Sequence, residues 1–170
     1  MRVELRPHPN TPCAAVTAIE VDAERAGAVL RLRYSLRGRL EDVLVPAPAY
    51  AERADGLWRE TCFEAFVRGG DARYCEFNFA PSTRWAAYAF EDYRAGMRDF
   101  EVAPLLIEAE TAADALTLEA AVAPGEAGLW RVALSAVIEE TSGAKSYWAL
   151  KHPPGKPDFH HADGFVLELP

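Results

Sequence analysis

Strict alternation of apolar and polar residues recurs along the chain. Between Ala28 and Leu36, Leu30, Leu32, Tyr34 and Leu36 fall on one side and Arg31, Arg33 and Ser35 on the other. A side-chain period of two predicts a strand with one buried and one solvated face. Ala15–Val21 repeats the pattern with Ala15, Thr17, Ile19 and Val21 against Val16, Ala18 and Glu20. Residues 105–122 are rich in Ala and Glu, yet Leu116, Leu118, Ala120 and Val122 alternate with Thr117, Glu119 and Ala121. Pattern outranks helix propensity there, predicting strands near 105–110 and 115–122 around the turn at 112–114.

The densest stretch is Leu57–Met97. It predicts three consecutive strands, Thr61–Val67, Tyr74–Phe79 and Trp85–Phe90, joined at Arg68–Asp71 and Pro81–Thr83. Further strands are expected at Val43–Val45, stopped by Pro46, and at Trp130–Ser135, Ser146–Leu150 and Phe165–Leu169. Residues 1–12, with three prolines, read as an extended arm; Ala49–Asp55 and Val137–Glu140 read as short helical turns. About ten short strands with frequent turn signals and minimal helix predict a single all-β domain over 1–170, an antiparallel β-sandwich.

Register then sorts the first central hairpin into two faces. Pairing that puts Phe63, Ala65 and Val67 beside Cys75, Phe77 and Phe79 makes one face apolar. The other face then carries Cys62, Glu64, Phe66, Tyr74, Glu76 and Asn78. A slip of one residue would bury the acids among the Phe rings, so the segregated register is favoured. The polar face has three readings. It is a solvated outer surface, a binding face where acids and amide meet a polar ligand beside aromatics, or a glycosidase carboxylate pair made by Glu64 and Glu76.

The loop from Lys151 to Gly164 gathers His152, Asp158, His160 and His161 with Pro153, Pro154 and Pro157. It reads as a loop pinned by side-chain bonds to backbone, as a ligand contact, or as a metal site made by Asp158, His160 and His161, although adjacent histidines seldom reach one ion. No P-loop, GxGxxG or GxSxG motif occurs, and the expectation leans away from an enzyme.

Charge narrows the partners. The chain of 170 residues has 18 Lys and Arg against 26 Asp and Glu, a formal charge of −8, which disfavours nucleic acid and anionic membranes. The N-terminus has no apolar signal core, and no apolar run is long enough to span a bilayer. Cys13, Cys62 and Cys75 are odd in number and have no metal-ligand spacing. A cytoplasmic chain with reduced thiols is expected.

Three blocks carry a family resemblance: LWRETCFEAFV (57–67), YCEFNFAPSTRWAAYAFEDYRAGM (74–97) and SYWALKHPPGKPDFHHADGFVLEL (146–169). They resemble bacterial DOMON-like proteins of no established activity, placed in the superfamily of family-nine carbohydrate-binding modules. The resemblance implies two antiparallel sheets and a ligand surface on a concave face or at one end. It also implies a ligand that is either a sugar or haem b. For a sugar, Trp58, Trp85, Tyr88 and Trp148 become stacking candidates. Arg59, Glu64, Glu76 and Asn78 become hydrogen-bonding candidates, with Lys151 and His160 from the loop. For haem, Met97 and His160 or His161 would be the axial pair. The leading expectation is a non-catalytic module for a carbohydrate or similar polar molecule without a cofactor. Its rivals are a haem-binding redox module and a protein-interaction domain, including a homodimer.

Overall fold

A computed structural model describes residues 1–103 and 105–170. The strands are β1 (Arg2–Pro7), β2 (Val16–Ala26), β3 (Val29–Gly38), β4 (Cys62–Arg68), β5 (Tyr74–Phe79), β6 (Trp85–Phe90), β7 (Arg98–Asp99), β8 (Leu106–Thr111), β9 (Ala115–Val122), β10 (Trp130–Glu139), β11 (Lys145–Ala149) and β12 (Leu167–Leu169). The described residues contain no α-helix, only short 3-10 turns such as Leu57–Arg59 and Ala162–Gly164. All strand pairing is antiparallel, in the order β7-β6-β5-β4-β10-β11-β1-β2-β3-β9-β8, with β12 beside the first part of β10.

β1 links two sheets. Arg2–Leu5 pairs with β2, while Arg6 and Pro7 pair with β11. The stretch expected to be an arm is therefore the strand where one sheet passes into the other. Its alternation of Arg2, Glu4 and Arg6 with Val3 and Leu5 serves both ladders, and Pro7 ends it.

The sheets close on a shared core. Phe63, Ala65, Val67, Phe77 and Phe79 meet Ile19, Val21, Leu30, Leu32, Leu116 and Leu118 in one apolar cluster. Tyr34 of β3 packs its ring 4.9 Å from Phe63 of β4 and donates its hydroxyl hydrogen to the Glu64 carbonyl at 2.8 Å. Each buried Phe contributes about 1.5–3 kcal/mol relative to exposure. The hairpin has the expected register, with Phe63 opposite Phe79, Ala65 opposite Phe77 and Val67 opposite Cys75.

Four local expectations are corrected. Ala49–Asp55 is extended and runs beside β6, with Trp85 N–H donating to Glu52 O and Ala54 N–H to Trp85 O. A few good helix formers cannot offset the cost of nucleating a helix when a sheet edge offers partners. Val137–Glu139 continues β10 rather than turning, because β11 pairs with all three residues and β4 with Val137. Val43 makes only an isolated bridge to Glu140. In β2 a bulge at Thr17 resets the alternation, so Val16 is buried with Ile19 and Val21 while Thr17 is exposed.

Candidate functional site

The outer face of β4, β5, β6 and β10 carries the polar residues picked out above, and it is not solvated. Glu64 is 2% exposed, Glu76 6% and Asn78 0%. Ladder pairing sets Ser135 and Asn78 on either side of Glu64, and Phe66 and Tyr88 on either side of Glu76. The result is a polar strip across the middle of the sheet, flanked by Phe66, Tyr74, Ala86, Tyr88, Phe90 and Ala133.

A C-terminal cover, residues 151–166, accounts for the burial. Phe165 packs on Phe66 and Tyr74 with ring centroids 6.4 and 5.8 Å apart, and Phe159 joins the same cluster. At the other end Leu57, in the 3-10 turn over β4 and β5, packs on the cluster too. The solvated reading of the face is thus overturned, because loops from both sides of the chain shield it.

The carboxyls are sparsely bonded. Ser135 Oγ donates to Glu64 Oε2 at 3.1 Å and Asn78 Nδ2 donates to Glu76 Oε1 at 2.7 Å. Among the described residues neither Glu64 Oε1 nor Glu76 Oε2 receives a hydrogen bond. Burial, together with the charge of Glu76, pushes the Glu64 carboxyl up to about 8. Burial also raises Glu76, opposed by the Asn78 hydrogen bond and by the charge of Arg94. At neutral pH Glu64 therefore keeps its proton.

His160 sits above the strip. Its ring lies 5.1 Å from both Phe66 and Phe90, and its Nδ1 is 2.8 Å from Tyr74 Oη. The Arg94 N–H donates to that same hydroxyl at 3.2 Å, so the Tyr74 hydrogen is free to go to Nδ1. This selects the tautomer with Nε2–H, which points to Glu76 Oε2 at 3.7 Å, too far for a hydrogen bond. Burial among the rings, with Arg94 nearby, lowers the imidazole to about 4 and keeps it neutral.

The cover is held by side chains. Asp158 accepts from Tyr93 Oη at 2.6 Å, from Arg94 Nη2 at 2.8 Å and from the His160 N–H at 3.2 Å. These bonds outweigh its burial and keep Asp158 below the usual carboxylate range. Arg94 takes a left-handed backbone conformation (φ 52°) and its N–H and guanidinium reach Tyr74 and Asp158.

The other expected site residues are dispersed. Trp85 and Trp148 lie in the core between the sheets, so their rings do not face the polar strip. Their out-of-phase ladder positions, opposite Phe79 and Ala136, put them there. Tyr88 does lie on the strip and donates to Asp55 Oδ1 at 2.7 Å. Trp58 is 49% exposed at the rim, with the Arg59 guanidinium 5.1 Å from its ring. Lys151 is exposed, 3.8 Å from Asp163, and borders a cavity of about 10 Å³ shared with Ser135 and Phe159. That space suits a single water.

Met97 is exposed in the loop before β7, whereas His160 is enclosed with one ring nitrogen already engaged. Asp158 is committed to Tyr93 and Arg94, and His161 Nδ1 accepts the Asp163 N–H at 3.2 Å. Among the described residues no three His, Cys, Asp or Glu side chains form a group that could hold a metal.

No known family profile matches the chain, and no curated protein matches it in sequence. Solved structures do resemble it. A candidate carbohydrate-binding protein from Bacteroides uniformis superposes with a TM-score of 0.72 at 14% identity, over 97% of this chain and 84% of that one. A family-nine carbohydrate-binding module from Caldicellulosiruptor kristjanssonii, in complex with cellotriose, gives 0.54 at 8% identity, over 90% and 75%. The same type of module from that organism, in complex with glucose, gives 0.51 at 11% identity, over 90% and 76%. At such identities the likeness is one of fold: the chain has the all-β antiparallel architecture of carbohydrate-binding modules.

Proposed function

We propose that this protein is a carbohydrate-binding module that holds a sugar, or a similar polyhydroxylated molecule, on the strip formed by Glu64, Glu76, Asn78 and Ser135. The observation that carries this reading is the grouping of Glu64, Glu76, Asn78 and Ser135 at the sheet centre beside aromatic rings, with each carboxyl receiving one hydrogen bond. Carboxyl and amide groups set together in this way can both donate to and accept from the hydroxyls of a sugar. The aromatic flank supplies apolar surface for the faces of a sugar ring. Family-nine modules of the same fold are known with glucose and cellotriose bound, which favours this ligand class.

Access to the strip requires the cover to move, and its bonding suits that. Among the described residues the main chain of 151–163 makes no ladder with either sheet; its main-chain bonds near Gly164 are local. Opening it costs the Asp158, His160 and aromatic contacts but leaves β10 and its neighbours paired. Trp58 and Arg59 at the rim then offer a stacking ring and a donor to the part of the ligand that stays outside.

Calorimetric titration with glucose and with cellotriose tests the reading. Wild-type protein is expected to bind at least one of them. Glu76→Ala and Asn78→Ala, with unchanged circular dichroism, should weaken that binding about tenfold or more. Equal affinity in the wild type and both variants would remove the strip as the site.

A further inference from the structure

The cover has another attachment, at its start and outside the strip. His152 Nε2 lies 2.8 Å from the Arg6 carbonyl oxygen, where β1 passes from one sheet to the other. A carbonyl only accepts, so the ring hydrogen is on Nε2 and Nδ1 keeps its lone pair. Among the described residues that Nδ1 is buried with no hydrogen-bond partner. His8, one residue past β1 and 2% exposed, meets His152 edge to face with ring centroids 4.9 Å apart. Its Nδ1 accepts the Asn10 N–H at 3.2 Å, which sets this hydrogen on Nε2 too. The His8 N–H donates to the Tyr147 carbonyl at 2.7 Å and holds the residue against β11.

Neither ring can take a second proton where it stands. On His152 the new N–H would be at Nδ1, where it would lie buried without an acceptor at a cost. On His8 it would displace the Asn10 N–H from Nδ1. Two charged rings at this separation would also repel. The charged and titratable groups around the pair give no relief. Arg6 and Glu4 on β1 are paired with each other at 3.1 Å, and Tyr147 on β11 meets His8 through its carbonyl. Lys151 in the cover is turned to Asp163 at 3.8 Å. Among the described residues the carboxylates within ion-pair distance of an imidazole are Glu76 at His160 and Asp163 at His161, with none at His8 or His152. Burial is the largest influence on His152 and lowers it from its ordinary 6.5, with the Arg6 carbonyl opposing and His8 adding to the shift.

We infer that His8 and His152 form an acid-released latch: mild acid charges the pair, breaks the His152–Arg6 bond and frees residues 151–157 from β1. The proton is taken from solvent onto a ring nitrogen, and no other covalent bond changes. The bonds of Asp158 with Tyr93 and Arg94, and of His160 with Tyr74, lie beyond Pro157, so release starts at the other end of the cover. The latch works without ligand; its effect on access to the strip rests on the sugar-binding reading.

Nuclear magnetic resonance of the ligand-free full chain, followed from about pH 8 to about pH 5, tests the latch. At the alkaline end both rings should show the Nε2–H form, with a nuclear Overhauser contact between them. On acidification that contact should be lost as His152 takes up its proton. Amide exchange at His8 and Asn10, normalised to the intrinsic chemical rate, should rise about tenfold or more over the same range. In His152→Gln, which keeps a donor for the Arg6 carbonyl and does not titrate, the rise should shrink to about threefold or less. His160→Gln should leave the rise in place, which separates the latch from the other end of the cover. Protonation of His152 with the ring contact and the protection of Asn10 unchanged, or an equal rise in His152→Gln, would overturn the latch. The wild-type profile decides even if a variant fails to fold. Sugar binding by a chain without acid release would overturn the latch and leave the reading of the strip in place. Acid release in a chain that binds no sugar at any pH would uphold the latch and remove the strip.

Discussion

Tyr74 Oη and His160 Nδ1 are 2.8 Å apart, and this contact ties a central strand of the sheet to the loop that covers it. The two residues are 86 positions apart in the chain. The bond fixes the imidazole tautomer and places Nε2–H over Glu76, so a structural contact also shapes the candidate site. Tyr74→Phe removes the hydroxyl and leaves Nδ1 buried without a donor. It should cost about 1–2 kcal/mol in urea unfolding. Amide exchange in residues 151–166 should rise more than in β4 or β10. Uniform loss of protection would show that the cover has no independent motion.

Asp158 is the second attachment. Asp158→Ala deletes the acceptor for Tyr93, Arg94 and the His160 amide together, and about 1–3 kcal/mol should be lost. Because its folded carboxyl lies below its ordinary value of 3.8, the stability it contributes is present above that value and is lost as pH falls through the lower, folded one. Arg94→Gly should be milder, since the left-handed backbone is relieved while the ion pair is lost. If it destabilised more than Asp158→Ala, Arg94 would be the main attachment.

Two buried groups act on stability from opposite sides of the pH scale. His160 takes up its proton at about 4 when folded, against an ordinary 6.5. The unfolded chain therefore binds protons first on acidification. Its contribution is intact above 6.5 and drains towards 4, by up to about 3 kcal/mol. Glu64 keeps its proton to about 8 when folded, against an ordinary 4.5, so stability drains as pH rises between those values. Urea midpoints should peak at weakly acidic pH, between the ordinary values of these two groups. Glu64→Gln should flatten the alkaline side, and a wild-type profile that rises steadily to pH 8 would contradict the buried state of this carboxyl.

The aromatic residues divide into those packed between the sheets and those on or around the strip, of which Trp58 stands half-exposed at the rim. Phe77→Ala, in the inter-sheet core, should cost about 3–5 kcal/mol. Trp58→Ala, at a half-exposed rim position, should change stability by about 0.5 kcal/mol or less while weakening sugar binding. A large stability loss in Trp58→Ala would place that ring in the fold instead.

Much of this was readable from alternation. The hairpin register followed from the need to segregate Phe63, Phe77 and Phe79 from Glu64, Glu76 and Asn78, because one face was bound to be buried. Ser135 carries the same signal: it is out of phase with Trp130, Val132 and Leu134, which sets it on the outer face. What the sequence does not encode locally is that β10 lies beside β4, 71 residues away at Ser135 and Glu64, so Ser135 had no visible partner. The burial of the polar strip was illegible for the same reason. It depends on residues 151–166 returning across the sheet, through contacts such as Asp158 with Arg94 that span 64 positions. Trp85 and Trp148 were drawn to the site by residue type, whereas their ladder phase assigns them to the core.

Nuclear magnetic resonance mapping distinguishes the outer face of β4, β5, β6 and β10 from the rest of the surface as the ligand site. Amide shifts would be followed as cellotriose, and separately glucose, is added to the full chain. Perturbations are expected at residues 62–66, 76–78, 86–88 and 133–135 and in the cover at 158–165, with the outer face of β2, β3 and β9 unmoved. Perturbations confined to β2, β3 and β9, with Glu64, Glu76 and Asn78 silent, would contradict it.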